Sequence, residues 1–351
     1  MSRQPLDATA PAIQRVAIAP DLPPTLFVIV DTEEEFNWRA PFSRSNTAVT
    51  AMSKIDRLQS ILNRHRIRPT YVIDYPVSHQ RDGYALLKEF SDDGLCRIGA
   101  HLHPWVTPPH TEDVTGTNSF GCRLDPSLEA EKIRVLRDDI GEQLGTRPTV
   151  FKAGRYGFGP TTAAALEALD FDIDVSVNPR MNYTSEGGPS FDGFDTTPFF
   201  FGRNRRLLEI PCSTDYTGLT AGTVAPALHR AVSARALEPL RAVGIAARLG
   251  LVNKVMLSPE GNTLAEMQAL TRSLVSRGVR TFSMTLHSPS VQPGCTPYVR
   301  SDQDLDEFLA RIDAYCGFFL GEIGGVASTP EEFRGTLIGH GRDTTLEERR
   351  S

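Results

Sequence analysis

Apolar residues in this chain recur as short runs that stop abruptly at a polar residue. Leu26-Phe27-Val28-Ile29-Val30 is continuous and ends on Asp31, as a strand covered on both faces does. Similar runs follow at Thr70–Ile73, Arg97–Ala100, Thr149–Phe151, Ile173–Ser176, Leu207–Ile210, Val255–Leu257 and Phe282–Leu286. Between most of them the spacing changes to that of a helix. Val49, Met52, Ile55, Leu58, Ile61 and Leu62 fall on one face, and Leu128, Ile133, Leu136, Ile140 and Leu144 form a stripe behind Pro126, a residue suited to a first helical turn. Further helices are expected at Thr161–Ala168, Ala225–Arg248, Thr263–Ser276 and Asp304–Phe319. Alternating strands and helices select an α/β protein with a mainly parallel sheet. About seven or eight such units suit a deformed (β/α) barrel, with an open doubly wound sheet as the alternative.

The pattern divides the chain into a polar lead at 1–24, a barrel domain at 25–320 and a tail at 321–351 whose weak periodicity predicts loose order. Two long stretches containing Gly, Pro and Thr, Val106–Cys122 and Asn178–Pro198, exceed plain connectors and are candidate substrate-covering loops. At 351 residues, 40% of them hydrophobic, the chain can bury a sizeable core. A net charge of -6 without a Lys/Arg run argues against a nucleic-acid partner, and an anionic substrate would need a local basic patch. Five scattered cysteines without a Cys-x-x-Cys pair fit reduced, buried thiols better than a disulfide framework or a thiolate zinc site. The N-terminal stretch lacks a signal peptide's apolar core, and no segment approaches the ~18 apolar residues of a membrane span. A cytoplasmic location is the resulting expectation.

Chemistry concentrates where strands end. In Ile98-Gly99-Ala100-His101-Leu102-His103-Pro104-Trp105, the two histidines alternate and point the same way on an extended strand, able to grip one metal ion. Surface or core histidines are the plainer alternative. Within Asp31-Thr32-Glu33-Glu34-Glu35, Asp31 and Glu33 share a face, so that one can hold the metal while the other takes a proton; Glu34 and Glu35 are then spare. A catalytic zinc site commonly takes three imidazole or carboxylate ligands and leaves one position open. His287, after a late strand, would complete a hydrolytic site, with a capping or core role as its alternative. Trp38 and Trp105, each just beyond such a motif, can stack on a sugar ring or pack a rim.

This constellation resembles the polysaccharide deacetylases, the NodB-homology carbohydrate esterases of family 4, from Leu26 to about Tyr298. Four motifs appear in the family's order: Val30-Asp31-Thr32-Glu33, His101-Leu102-His103-Pro104, Arg147-Pro148-Thr149-Val150-Phe151-Lys152-Ala153-Gly154-Arg155-Tyr156-Gly157, and Leu286-His287. The resemblance implies a deformed barrel, a saccharide substrate and a divalent ion, zinc first with cobalt, nickel or manganese admissible. By it Asp31 is the general base, Glu33, His101 and His103 the metal ligands, and His287 the general acid, while the Tyr156 N–H meets the oxyanion. The arginine of the third motif matches Lys152 or Arg155. Arg155 is favoured because a guanidinium clamps a carboxylate through two bonds. Histidines two apart rather than four, Glu33 in place of an adjacent aspartate, Ser288 where an acid often follows the last histidine, and no evident aspartate–tryptophan lid mark a divergent branch. Two other readings stay open: a barrel amidohydrolase acting on a non-sugar C–N bond, and a catalytically silent saccharide binder.

Overall fold

The computed structural model describes residues 13–203, 206–218 and 252–347, with the backbone alone for 340–347. The helix expected at Ala225–Arg248 lies outside the described residues. In chain order the strands are β1 (Gln14–Arg15), β2 (Thr25–Thr32), β3 (Thr70–Ile73), β4 (Arg97–Leu102), β5 (Val150–Ala153), β6 (Ile173–Asp174), β7 (Phe199–Phe201), β8 (Leu207–Glu209), β9 (Thr214–Thr217), β10 (Asn253–Met256), β11 (Thr281–His287) and β12 (Val326–Ala327). The helices are α1 (Asp56–Arg64), α2 (Tyr75–His79), α3 (Arg81–Asp92), α4 (Pro126–Leu144), α5 (Pro160–Ala168), α6 (Leu264–Ser276), α7 (Asp302–Gly321) and α8 (Pro330–Glu347).

Strands β11, β2, β3, β4, β5, β6 and β8 are neighbours in that order and all parallel, and the antiparallel β7 and β1 extend the far edge. The sheet curls, and single hydrogen bonds bridge its open side. Cys212 N–H donates to Val177 O (2.9 Å), Leu257 N–H to Ser213 O (2.8 Å) and Thr285 N–H to Leu257 O (3.1 Å). The result is the expected deformed α/β barrel, with one correction: Val255 and Met256 belong to an antiparallel β9–β10 ribbon outside the main sheet.

Period-two alternation fixes what fills the barrel. Leu26, Val28 and Val30 turn outward into the core formed with the helices, whereas Phe27 and Ile29 turn inward to meet Val72, Val150, Ile173 and Leu208. This interior is tight enough to exclude a side chain at Gly99, where a Cβ would lie 2.8 Å from Val72 Cγ1 and 2.9 Å from Val150 O. Two residues further along the same faces, the filling becomes polar.

The tail corrects a second expectation. β12 pairs with β2, and α8 packs Phe333 against Phe27 at the end of the barrel where the strands begin (ring centroids 5.2 Å apart). Its start carries a reciprocal cap: Glu332 N–H donates to Thr329 Oγ1 and Thr329 N–H to Glu332 Oε2, each at 3.3 Å. With Pro330 in the first turn, this signal was present in the sequence, and the sparse apolar positions hid it. No helix among the described residues is long and apolar enough to cross a membrane.

Candidate metal centre and its cavity

The strand ends deliver the candidate residues inward together. Register pairs His287 with Asp31 across β11 and β2, and His101 with Lys152 across β4 and β5. Glu33 Oε2 lies 3.6 Å from His101 Nε2 and 3.4 Å from His103 Nε2, and all three side chains are buried. Their ligating atoms fall within 4.8 Å of one another.

Hydrogen bonds at Nδ1 turn Nε2 of each imidazole toward this point. His101 Nδ1 contacts Lys152 O at 3.1 Å, and a carbonyl only accepts, so Nδ1 carries the proton and Nε2 keeps its lone pair. His103 Nδ1 lies 2.7 Å from Glu34 Oε2, whose other oxygen accepts from Trp105 Nε1 at 2.7 Å. Burial, the largest influence on both rings, holds His101 below its ordinary value and His103 down at about 4, so both stay neutral. Glu33 Oε1 is buried without a hydrogen-bond partner. Five buried acids (Asp31, Glu33, Glu34, Asp74 and Glu260) gather here against two cationic partners, Lys152 on Asp31 and His287 on Glu260, and burial together with the neighbouring carboxylates raises Glu33, Glu34 and Asp74 above their ordinary values. This donor set and its excess of acid fit a divalent cation.

Beside it, the Lys152 ammonium donates to both oxygens of Asp31, at 2.6 and 2.7 Å, and to Thr285 Oγ1 at 2.8 Å. Burial pushes the Asp31 carboxyl up, but Lys152, His101 and His287 overcome it and hold the group below its ordinary value. His287 Nε2 is 3.8 Å from Asp31, and its Nδ1 is 2.7 Å from Glu260 Oε2. Burial drives this ring down, yet Glu260, Glu33 and Asp31 raise it to about 10, so it is protonated at neutral pH. A cavity of about 500 Å³ opens over these groups, lined by Trp38, Tyr156, Tyr183 and Tyr298 among others.

Neither a family model nor a curated protein matches the chain. Its structural neighbours include proteins described as polysaccharide deacetylases and family 4 carbohydrate esterases, and also a family 4 pseudoenzyme from Bacillus anthracis. A Mycobacterium smegmatis protein described as a polysaccharide deacetylase is 13% identical, with 93% of this chain and 94% of that one covered and a TM-score of 0.47. The peptidoglycan deacetylase PdaC from Bacillus subtilis is 10% identical over 95% and 100% of the two chains, with a TM-score of 0.40. A family 4 acetyl xylan esterase from Clostridium thermocellum, in complex with a cobalt ion, is 12% identical over 88% and 89%, with a TM-score of 0.38. With identity this low, the roles of residues in this chain rest on its own geometry.

That geometry corrects two expectations. The clamp on Asp31 is made by Lys152 and not by Arg155. Val150 and Lys152 share the inward face of β5, whereas Arg155 lies beyond the strand in a left-handed turn (φ 52°) and pairs with Glu186, Ser119 Oγ and Gly116 O. Trp105, expected to stack on sugar, is 1% exposed; it lies against His103 (centroids 4.2 Å) and is tied to Glu34. Trp38 does line the cavity, edge-on to His287 at 4.9 Å and to Tyr298 at 5.6 Å.

Tyr156 also adopts a left-handed backbone (φ 57°), so two successive residues hold a conformation costing about 1–3 kcal/mol each. Glu34 is not spare, since it orients His103. Glu260, in the loop after β10, was missed because it stands three residues beyond the Val255–Leu257 run and belongs to no motif. Of the long loops, Asn178–Pro198 contributes Asn178, Met181, Tyr183 and Glu186 to the cavity wall, and Val106–Cys122 reaches the site through the Arg155 contacts.

Proposed function

We propose that this protein is a metal-dependent hydrolase that removes acetyl groups from a saccharide, N-acetyl in the first place. The observation that carries the proposal is the meeting of a three-donor cluster with a carboxylate gripped by the Lys152 ammonium and an imidazole paired with Glu260. Glu33, His101 and His103 hold the ion, zinc before cobalt, nickel or manganese. When bound, it supplies Lewis acidity toward the acetyl carbonyl and the attacking water. Asp31 accepts the proton of that water, with Lys152 keeping the carboxylate charged and in place. His287, steadied by Glu260, donates a proton to the departing amine nitrogen, a contribution of about 10²–10⁴-fold. The backbone N–H of Tyr156 meets the developing oxyanion, and Trp38 offers its face to the sugar.

The test is acetate release from N-acetylated sugars by the zinc-loaded protein, with ammonia release measured in parallel. Asp31→Asn abolishes acetate release with metal content near wild type, whereas His101→Ala loses both. Equal metal loss in the two variants would reassign Asp31 to ligation. Ammonia without acetate would point to a non-sugar C–N substrate.

A further inference from the structure

Most charged groups lining the cavity have a partner within it or directly behind it. Asp31 is matched by Lys152, His287 by Glu260 and Arg155 by Glu186, and Glu33 belongs to the candidate metal cluster. Lys254 does not fit this scheme. It lies on β10, on the same side of the ribbon as Met256, and both side chains line the cavity, as does Thr214 of β9. Its ammonium is half-buried and donates to one backbone carbonyl, Arg180 O, at 3.3 Å. Among the described residues no carboxylate makes an ion pair with it, and Asp192 acts on it only from a distance. An ammonium on the cavity wall whose one acceptor among the described residues is a weak one keeps donors free for an anion in the cavity.

We propose that Lys254 is a specificity-determining residue, and that the substrate is an acetamido sugar carrying an anionic group, a uronate carboxylate or a phosphate ester, which the ammonium receives. This deepens the deacetylase reading and rests on it for the acetamido part. It also answers the requirement the sequence set, since a chain of net charge -6 needs a local cation to take an anionic substrate.

The two tryptophans of the chain, Trp38 on the cavity wall and Trp105 against His103, make intrinsic fluorescence a direct readout of binding. The zinc-loaded full chain is titrated with N-acetylglucosamine, N-acetylglucosamine 6-phosphate and N-acetylglucosaminuronic acid, and acetate release is followed on the same samples. The expected result is tighter binding of one or both anionic sugars. Lys254→Met lowers that preference about ten- to a hundredfold, the worth of a charge-assisted hydrogen bond, and Lys254→Arg retains most of it. Preference for only one anionic probe identifies the group received. Equal affinity for all three sugars, or a preference that survives in Lys254→Met, overturns the proposal. If the preference is present but no sugar releases acetate, the deacetylase reading fails and the anion subsite stands.

Discussion

The two ends of the barrel interior are built from the same strands and the same faces, and they do opposite work. At one end Phe27, Ile29, Val72, Val150, Ile173 and Leu208 pack with Phe333 into an apolar plug. Two residues further along, the faces carry Asp31 and Glu33 on β2 and just past it, His101 on β4, Lys152 on β5, and Thr285 and His287 on β11. The plug stabilises by removing hydrocarbon from water, about 1.5–3 kcal/mol for each large side chain. The polar layer buries charge, which is favourable only where each charge is matched. A barrel strand can therefore serve both ends at once, because alternation fixes direction and leaves the chemistry of each position free.

Substitution separates these two kinds of stability. Lys152→Met leaves Asp31 buried without its cation and is expected to cost about 3–5 kcal/mol in urea unfolding at neutral pH. Adding Asp31→Asn removes the orphaned charge and restores much of the loss. Phe333→Ala at the other end is expected to cost a similar amount, about 3–5 kcal/mol, through lost burial and a cavity. No polar partner substitution rescues it, and the folded fraction still binds one metal ion. If Lys152→Met proves mild, or the double variant is no more stable than the single, the polar layer is not held by matched charge.

The next effect is smaller and concerns metal affinity. When its Nε2 faces a cation, His103 carries its proton on Nδ1, so Glu34 accepts from both His103 and Trp105, one bond per oxygen. Glu34→Gln keeps the shape but offers one acceptor for two donors, so it is expected to weaken metal binding about 10–100-fold, as loss of a partner behind a ligating histidine does. Competition with a chelator measures this. An unchanged affinity would show that Glu34 serves packing alone.

Legibility differed between the two ends for a physical reason. Alternation sufficed to place Asp31 with Glu33 and His101 with His103, and the same rule applied to β5 selects Lys152. Arg155 was preferred on the bonding capacity of its guanidinium, a property that matters only after the strand has aimed the side chain. Trp105 was read as a sugar platform because sequence shows that an indole follows the histidines, not that Glu34 will draw its N–H inward. Glu260 had no such signal, since its position depends on how a loop folds back over β11. In the tail, the Thr329–Glu332 cap carried more information than the weak periodicity around it.

The finest probe of the polar layer is the proton on His287. Glu260 takes the ring Nδ1–H at 2.7 Å, the His287 backbone N–H at 3.2 Å and the Ser290 hydroxyl at 2.5 Å. Burial alone would lower this imidazole from its ordinary 6.5, and Glu260, followed by Glu33 and Asp31, raises it to about 10. A folded-state value above the unfolded one means that the stabilisation is complete below about pH 6.5 and is lost as pH rises through about 10. In metal-free protein, the melting temperature should fall across that window, and Glu260→Gln should move the fall to lower pH. Activity follows the same proton. The acid must be protonated, so kcat/KM declines on the alkaline side, and Glu260→Gln brings that limb down toward 6.5. A cation beside Glu33 offsets part of the raising field and adds its own positive charge, so the wild-type limb of the loaded enzyme lies below about 10. The acid limb belongs to Asp31, held low by Lys152, and should stay where it is. Movement of both limbs together would mean that Glu260 acts on the whole site through its structure; movement of the alkaline limb alone identifies it as the group that keeps His287 charged.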